Sequence, residues 1–180
     1  TTLIKLLELL ARQIGQEVSY PEIGQILGLD RRTVTTYIDL LEQCFILFRL
    51  GAFSRNLRKE VGKSVKIYFY DLGVRNGLIQ NFANISVRND LGALWENFCI
   101  VERLKMLRYN QYFANRYFWR TYDQKEIDYL EETDGKISGF EFKWSPTAKL
   151  KEPLEFLEAY PGSTIQRVDR DNFWQFLAKI

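Results

Sequence analysis

The chain has 180 residues, 46% of them hydrophobic, and a net charge of +2, so it can bury a substantial core and does not read as disordered. It contains no histidine, which excludes histidine-based triads, histidine general bases and histidine metal ligands within it. Residues 1–84 carry eleven Lys/Arg against eight Asp/Glu, and residues 85–180 carry fourteen against fifteen, so a polyanion is expected to meet the first half.

Residues 2–14, "TLIKLLELLARQI", place Leu3, Leu6, Leu7, Leu10 and Ile14 at helical spacing, and Gly15 is expected to end the helix. Ser19-Tyr20-Pro21-Glu22 is a capping box that opens a short helix running to Leu27. Gly28-Leu29 makes a turn, and Asp30 caps a third helix whose Val34, Ile38 and Leu41 face inward. The strand candidates 45–51 and 65–71 follow, joined by a loop with Arg55, Arg58, Lys59 and Lys63. Three helices followed by a two-stranded ribbon with a basic loop predict a winged helix-turn-helix over residues 1–80. Its DNA-facing residues would be Arg31, Arg32, Thr33, Thr35, Thr36 and Tyr37 on the third helix, with Arg55, Arg58, Lys59 and Lys63 on the wing. Asp39 and Glu42 on the same helix argue against DNA, and a protein-docking or ATPase-coupling module is the competing reading.

After a short segment at Leu72–Ile79 and the polar stretch "QNFANIS", a second domain is predicted over 85–180. It reads as a long helix at 89–107, three strands at 112–122, 126–132 and 136–144, a helix near 153–159, a strand at 164–169 and a terminal "NFWQFLAKI". The fold class is therefore α/β (α+β), a winged helix followed by a mixed-sheet domain of helix, three strands, helix and strand. Cys44 and Cys99 lie far apart among apolar residues and are expected to be small core residues. Trp95, Phe98, Phe118, Trp119, Phe173 and Trp174 are likewise expected in the core. Gly62-Lys63-Ser64 imitates the end of a phosphate-binding loop, but Leu57 stands where glycine is needed and a strand follows, so no nucleotide site is expected. No run approaches the roughly 20 apolar residues of a membrane span.

The stretch "EIDYLEETDGKISGFEFK" carries the chemistry. Asp134-Gly135 is a strong two-residue turn signal, and if Thr133 and Lys136 flank it, Asp128 falls opposite Glu141. Like charges at about 5 Å and an effective dielectric near 20 repel by about 3 kcal/mol. Alternation puts Ile127 and Tyr129 with Phe140 and Phe142 on a core face, and Glu126 and Asp128 with Glu141 and Lys143 on the other. A solvated face with a Glu126–Lys143 pair is the plain reading, but it leaves the facing carboxylates unexplained; a divalent cation would explain them.

A helix with an acid, then Asp128, then Glu141-Phe142-Lys143 resembles the restriction-endonuclease-like superfamily and its (P)D…(D/E)-x-K signature, with Ile127 where the proline would stand. The resemblance implies Mg²⁺ or Mn²⁺ held by Glu96, Asp128 and Glu141, with Lys143 assisting a Mg-dependent DNA endonuclease. The stretches "PEIGQILGLDRRTVTTYIDLLEQCFILFRL", "GKSVKIYFYDLGVRNGL" and "GALWENFCIVERLK" look like the C-terminal region of prokaryotic AAA-type P-loop ATPases. That likeness implies an ATPase domain, which would bind ATP, ahead of Thr1 in a longer cytoplasmic protein, with DNA as partner, no membrane, and an oligomer left open. The opening Thr-Thr-Leu without Met agrees with a fragment. The alternative is a non-catalytic interaction module that keeps the nuclease-like fold without cleavage.

Overall fold

The computed structural model describes residues 1–55, 64–150 and 153–178. Among these the protein is mixed α/β, with seven α-helices and six strands, and no helix is long and apolar enough to cross a membrane. The chain divides into two compact units, Thr1–Arg49 with Val65–Asn97, and Leu50–Ser64 with Phe98–Ile180.

In the first unit α1 (Thr2–Arg12) buries Leu6, Leu10 and Ala11. It stops earlier than the spacing predicts: Gln13 is its C-cap, and Gly15 takes a left-handed φ of 72° in the turn beyond. Ser19 caps α2 (Tyr20–Leu27) by accepting from the Glu22 N–H, and Gly28 closes it in the left-handed region. Asp30 accepts from the Thr33 N–H at 2.9 Å and starts α3 (Arg31–Gln43), whose Val34, Ile38 and Leu41 are buried as the periodicity requires. The turn between the two helices folds back onto Gly24, where an added Cβ would lie 2.6 Å from the Leu29 carbonyl oxygen. That approach admits only glycine.

Before α2, Glu17 bridges antiparallel to Lys66, and the Val18 N–H donates to the Val65 carbonyl at 2.9 Å. Lys66 belongs to β2 (Val65–Phe69), and the unit also holds the first residues of β1 (Leu47–Ala52). β2 ends before the predicted 71, because Asp71 caps α4 (Leu72–Leu78) through the Val74 N–H. Cys44, expected in the core, is the exposed C-cap of α3, while Cys99 is buried. The first turns of α5 (Leu91–Tyr109) belong here too, and the buried Asn97 both accepts from and donates to the backbone of Phe69.

The second unit continues α5 and adds β3 (Asn115–Arg120), β4 (Glu126–Thr133), β5 (Lys136–Phe142), α6 (Leu154–Ala159), β6 (Thr164–Val168) and α7 (Phe173–Ala178). The helix, three strands, helix and strand of the sequence appear in that order. β3, β4 and β5 pair antiparallel, and β6 joins β5 in parallel. Gly51 and Ala52 at the end of β1 pair in parallel with Tyr117 and Phe118, a neighbour that spacing alone does not reveal.

Both faces of this sheet are covered. On one, Phe176 of α7 meets Tyr129, Phe140 and Phe142. On the other, Phe156 of α6 packs with Phe53, Trp119, Leu130 and Ile137. Ile127 belongs to this second cluster rather than beside Tyr129, which corrects the simple alternation; β3 shifts register between Tyr117 and Trp119, opposite this stretch of β4. Trp95, Phe118 and Trp119 are buried as expected, but Trp174 is 58% exposed, its indole N–H donating to the Asp171 carbonyl.

A buried ion pair crosses the Tyr129 face. The Arg103 guanidinium donates twice to Glu131, at 2.7 Å each, and once to the Phe176 carbonyl at 2.5 Å. The Tyr129 hydroxyl donates to the same carboxylate at 3.0 Å, and the guanidinium lies over the Phe176 ring. Burial and the neighbouring carboxylate push the Tyr129 phenol well above its ordinary range. Replacing Glu131 by Gln should destabilise the protein by about 3–5 kcal/mol in urea denaturation, because the Arg103 charge would stay buried without its counter-ion.

Candidate functional site

The β4–β5 hairpin closes as the turn signal requires. Thr133 pairs with Lys136, and Asp134 and Gly135 both take positive φ, 51° and 75°. The register runs back to Tyr129 opposite Phe140, and the next residues in each strand are Asp128 and Glu141. Their carboxylates meet around one lysine. Lys143 Nζ lies 3.1 Å from Glu141 Oε2 and 3.9 Å from Asp128 Oδ2, and Asp128 Oδ2 accepts from the Phe142 N–H at 2.8 Å. The structure thus brings Asp128, Glu141 and Lys143 together.

The solvated face of the plain reading is not what forms. Glu141 is only 7% exposed, since α6 and its apolar partners cover this side of the sheet. Burial, and then the Asp128 charge, push the Glu141 carboxyl up to about 7, with Lys143 pulling the other way. Lys143 contacts both the buried Glu141 and the half-buried Asp128.

Glu141 and Lys143 open onto a groove of about 680 Å³, lined also by Gln124, Lys125, Glu126, Lys149, Pro153 and Leu154. Lys125 is paired with Glu155 of α6 at 2.7 Å. Sequence reasoning missed Lys125 and Lys149. Neither stands at a motif spacing, and Lys149 reaches the groove only through the loop between β5 and α6.

Glu96 belongs to the first unit, in the opening turns of α5. There its Oε1 accepts from the Tyr68 hydroxyl at 2.5 Å and lies 3.4 Å from Nζ of the buried Lys66. Among the described residues no three or more of His, Cys, Asp and Glu gather closely enough to hold a metal ion.

At the start of α3, Arg31 and Arg32 are exposed and, with Asp30, Thr33, Thr36 and Tyr37, line an open depression. The Thr33 hydroxyl donates to Asp30, and those of Thr35 and Thr36 donate to the carbonyls of Arg31 and Arg32. Arg55 pairs with Glu132 and sits over the Phe53 ring. Arg58, Lys59 and Lys63 lie outside the described residues.

Residues 1–85 match the family model described as "Domain of unknown function (DUF8612)", and residues 91–172 match "Domain of unknown function (DUF4143)". Over 148 residues, 81% of this chain, it is 28% identical to the uncharacterized proteins Rv2008c of Mycobacterium tuberculosis and Mb2031c of Mycobacterium bovis, covering 33% of each. A 74-residue stretch, 41% of the chain, is 34% identical to the uncharacterized protein MJ1637 of Methanocaldococcus jannaschii and covers 15% of it. The chain spans about a third of the length of the mycobacterial relatives. No solved structure matches it significantly.

The raised Glu141 carboxyl gives a pH signature. An acid whose folded pKa of about 7 lies above its ordinary 4.5 binds more protons folded than unfolded between those values, so stability falls as pH rises through that window. The fall is bounded at about 3 kcal/mol. Glu141→Gln should flatten it and be the more stable protein at pH 8, as chemical denaturation at several pH values would show.

Proposed function

We propose that this chain is the DNA-directed end of an AAA-type ATPase, a winged helix followed by a nuclease-like domain whose Asp128, Glu141 and Lys143 act on a phosphodiester with a divalent cation. The observation that carries this is the buried Glu141 and half-buried Asp128 with Lys143 against both, Glu141 and Lys143 opening onto a groove. The DUF4143 match supports the ATPase association, since that domain is typically C-terminal in such proteins. The helix order, the Glu17–Lys66 bridge and the β1–β2 ribbon support the winged helix. Acting in the cytoplasm belongs to the same proposal.

The residues fit Mg²⁺ or Mn²⁺ in one respect: such ions are commonly held by one or two carboxylates, with water and substrate phosphate completing the shell. Asp128 and Glu141 would hold it, and the proposal does not depend on Glu96. A bound cation would supply charge neutralisation at the phosphoryl group and a more acidic water. Lys143, being cationic, orients or neutralises a phosphate oxygen and does not ligate the ion. Two residues from Glu141, its Cα stands about 7 Å along the strand, which its side chain spans.

A second reading is favoured by the same lysine. Lys143 already lies against both acids, and among the described residues no three acids gather closely enough to hold an ion, as suits a nuclease-shaped module that binds without cutting. Calorimetry with Mn²⁺ and plasmid nicking separate the two. Lys143→Ala should lose about 10²–10³ in nicking rate while holding Mn²⁺ as well or better. Asp128→Ala should lose both. Absence of Mn²⁺ binding and of nicking in the wild-type protein would establish the binding module instead.

DNA affinity should depend on the first unit. Alanine at both Arg31 and Arg32 should weaken duplex binding and lower the salt slope by about 0.9 for each phosphate no longer neutralised, measured by fluorescence anisotropy over a salt series.

A further inference from the structure

We propose that Arg49 is an electrostatic mask for α3, holding the two acids of that helix so that its DNA-facing side does not repel a phosphate backbone. The inference rests on the DNA-binding reading above. Asp39 stands seven residues after Arg32, about two helical turns, and therefore on nearly the same face of α3. Glu42 follows one turn later. Left alone, both carboxylates would repel a phosphate backbone lying along that face.

Arg49 projects from β1 onto both of them. Its Nη2 lies 2.8 Å from Asp39 Oδ1, its Nε donates to Glu42 Oε2 at 2.8 Å, and its backbone N–H donates to Glu42 Oε1 at 2.9 Å. Burial raises the Tyr20 phenol on α2, with the neighbouring Arg49 charge pulling the other way. The side chains are about a third exposed, 32% for Arg49, 42% for Asp39 and 30% for Glu42, so their charges are felt outside the molecule. Counting Asp30, Arg31, Arg32, Asp39 and Glu42, the helix and its cap sum to −1; adding Arg49 brings the surface to zero. Arg49 is a positioning residue, acting on DNA through the acids it covers.

The test uses a short fluorescent DNA duplex at low salt, with the 180-residue chain and three variants. Arg49→Gln should weaken binding on the order of twofold, because one unit charge about 10 Å from phosphates acts through water and partial screening. Asp39→Asn with Glu42→Gln, a change of two charges, should tighten binding by a larger factor, and adding these two changes to Arg49→Gln should return affinity to at least the wild-type level. A triple variant that stays as weak as Arg49→Gln would assign Arg49 a purely structural role and overturn the mask. If Arg49→Gln fails to fold by circular dichroism, the double variant decides: unchanged or weaker affinity with Arg49 intact overturns the proposal. Wild-type protein that binds no DNA at all overturns the DNA reading and the mask together, whereas binding that ignores all three variants overturns the mask alone.

Discussion

The pairing of Thr133 with Lys136 across the Asp134-Gly135 turn sets the register of β4 on β5, and the chemistry of the second unit hangs on it. A slip of one residue would exchange the two faces of each strand. Glu131 would leave the Arg103 guanidinium, and Asp128 would leave Glu141. The two positive φ values at the turn matter for the same reason, since few residue pairs adopt them and the strands twist correctly when they do. A short local signal thereby fixes where two buried carboxylate sites can form on opposite faces of one sheet.

Those two sites solve the burial of charge differently. Glu131 faces a planar guanidinium that matches it with two parallel hydrogen bonds, and a phenol adds a third. Nothing in that arrangement is short of a partner, and it ties α5 and α7 to β4. Glu141 faces a second carboxylate and a single ammonium on a longer, looser side chain. One lysine cannot balance two acids, so the carboxyl holds its proton to near neutral pH. The first arrangement belongs to the framework, and the second is the kind of unbalanced site that accepts a further ion or charge.

How much of this could be read from the sequence follows the range of each interaction. Caps and turns are local, so Ser19, Asp30 and the Asp134-Gly135 turn were legible, as were the helix faces of Val34, Ile38 and Leu41. The meeting of Asp128, Glu141 and Lys143 was legible because a hairpin converts spacing into contact. Long-range partners were not. Nothing in the spacing indicates that Gly51 and Ala52 lie beside Tyr117 and Phe118, that Ile127 turns to the Trp119 cluster, or that Lys125 and Lys149 reach the groove. The burial of Glu141 escaped for the same reason: alternation separates two faces but does not say that α6 covers the second. The partner of Asp39 and Glu42 was hidden in the same way, because Arg49 stands on a strand rather than on their helix.

Charge balance ties the candidate site to its two competing readings. Asp128, Glu141 and Lys143 together carry −1 when both acids are ionised, an unfavourable sum where Glu141 is buried. One proton on Glu141 brings the sum to zero, which is the state that burial favours near neutral pH. A divalent cation in place of that proton overshoots to +1, and a phosphodiester, carrying −1, restores zero. On the catalytic reading, then, neutrality is reached only with ion and nucleic-acid backbone both present, so the ion alone should be held weakly. On the binding-module reading the proton and Lys143 suffice, and the site has no electrostatic need of either. The same three side chains suit both, and what separates the readings is whether a phosphate arrives.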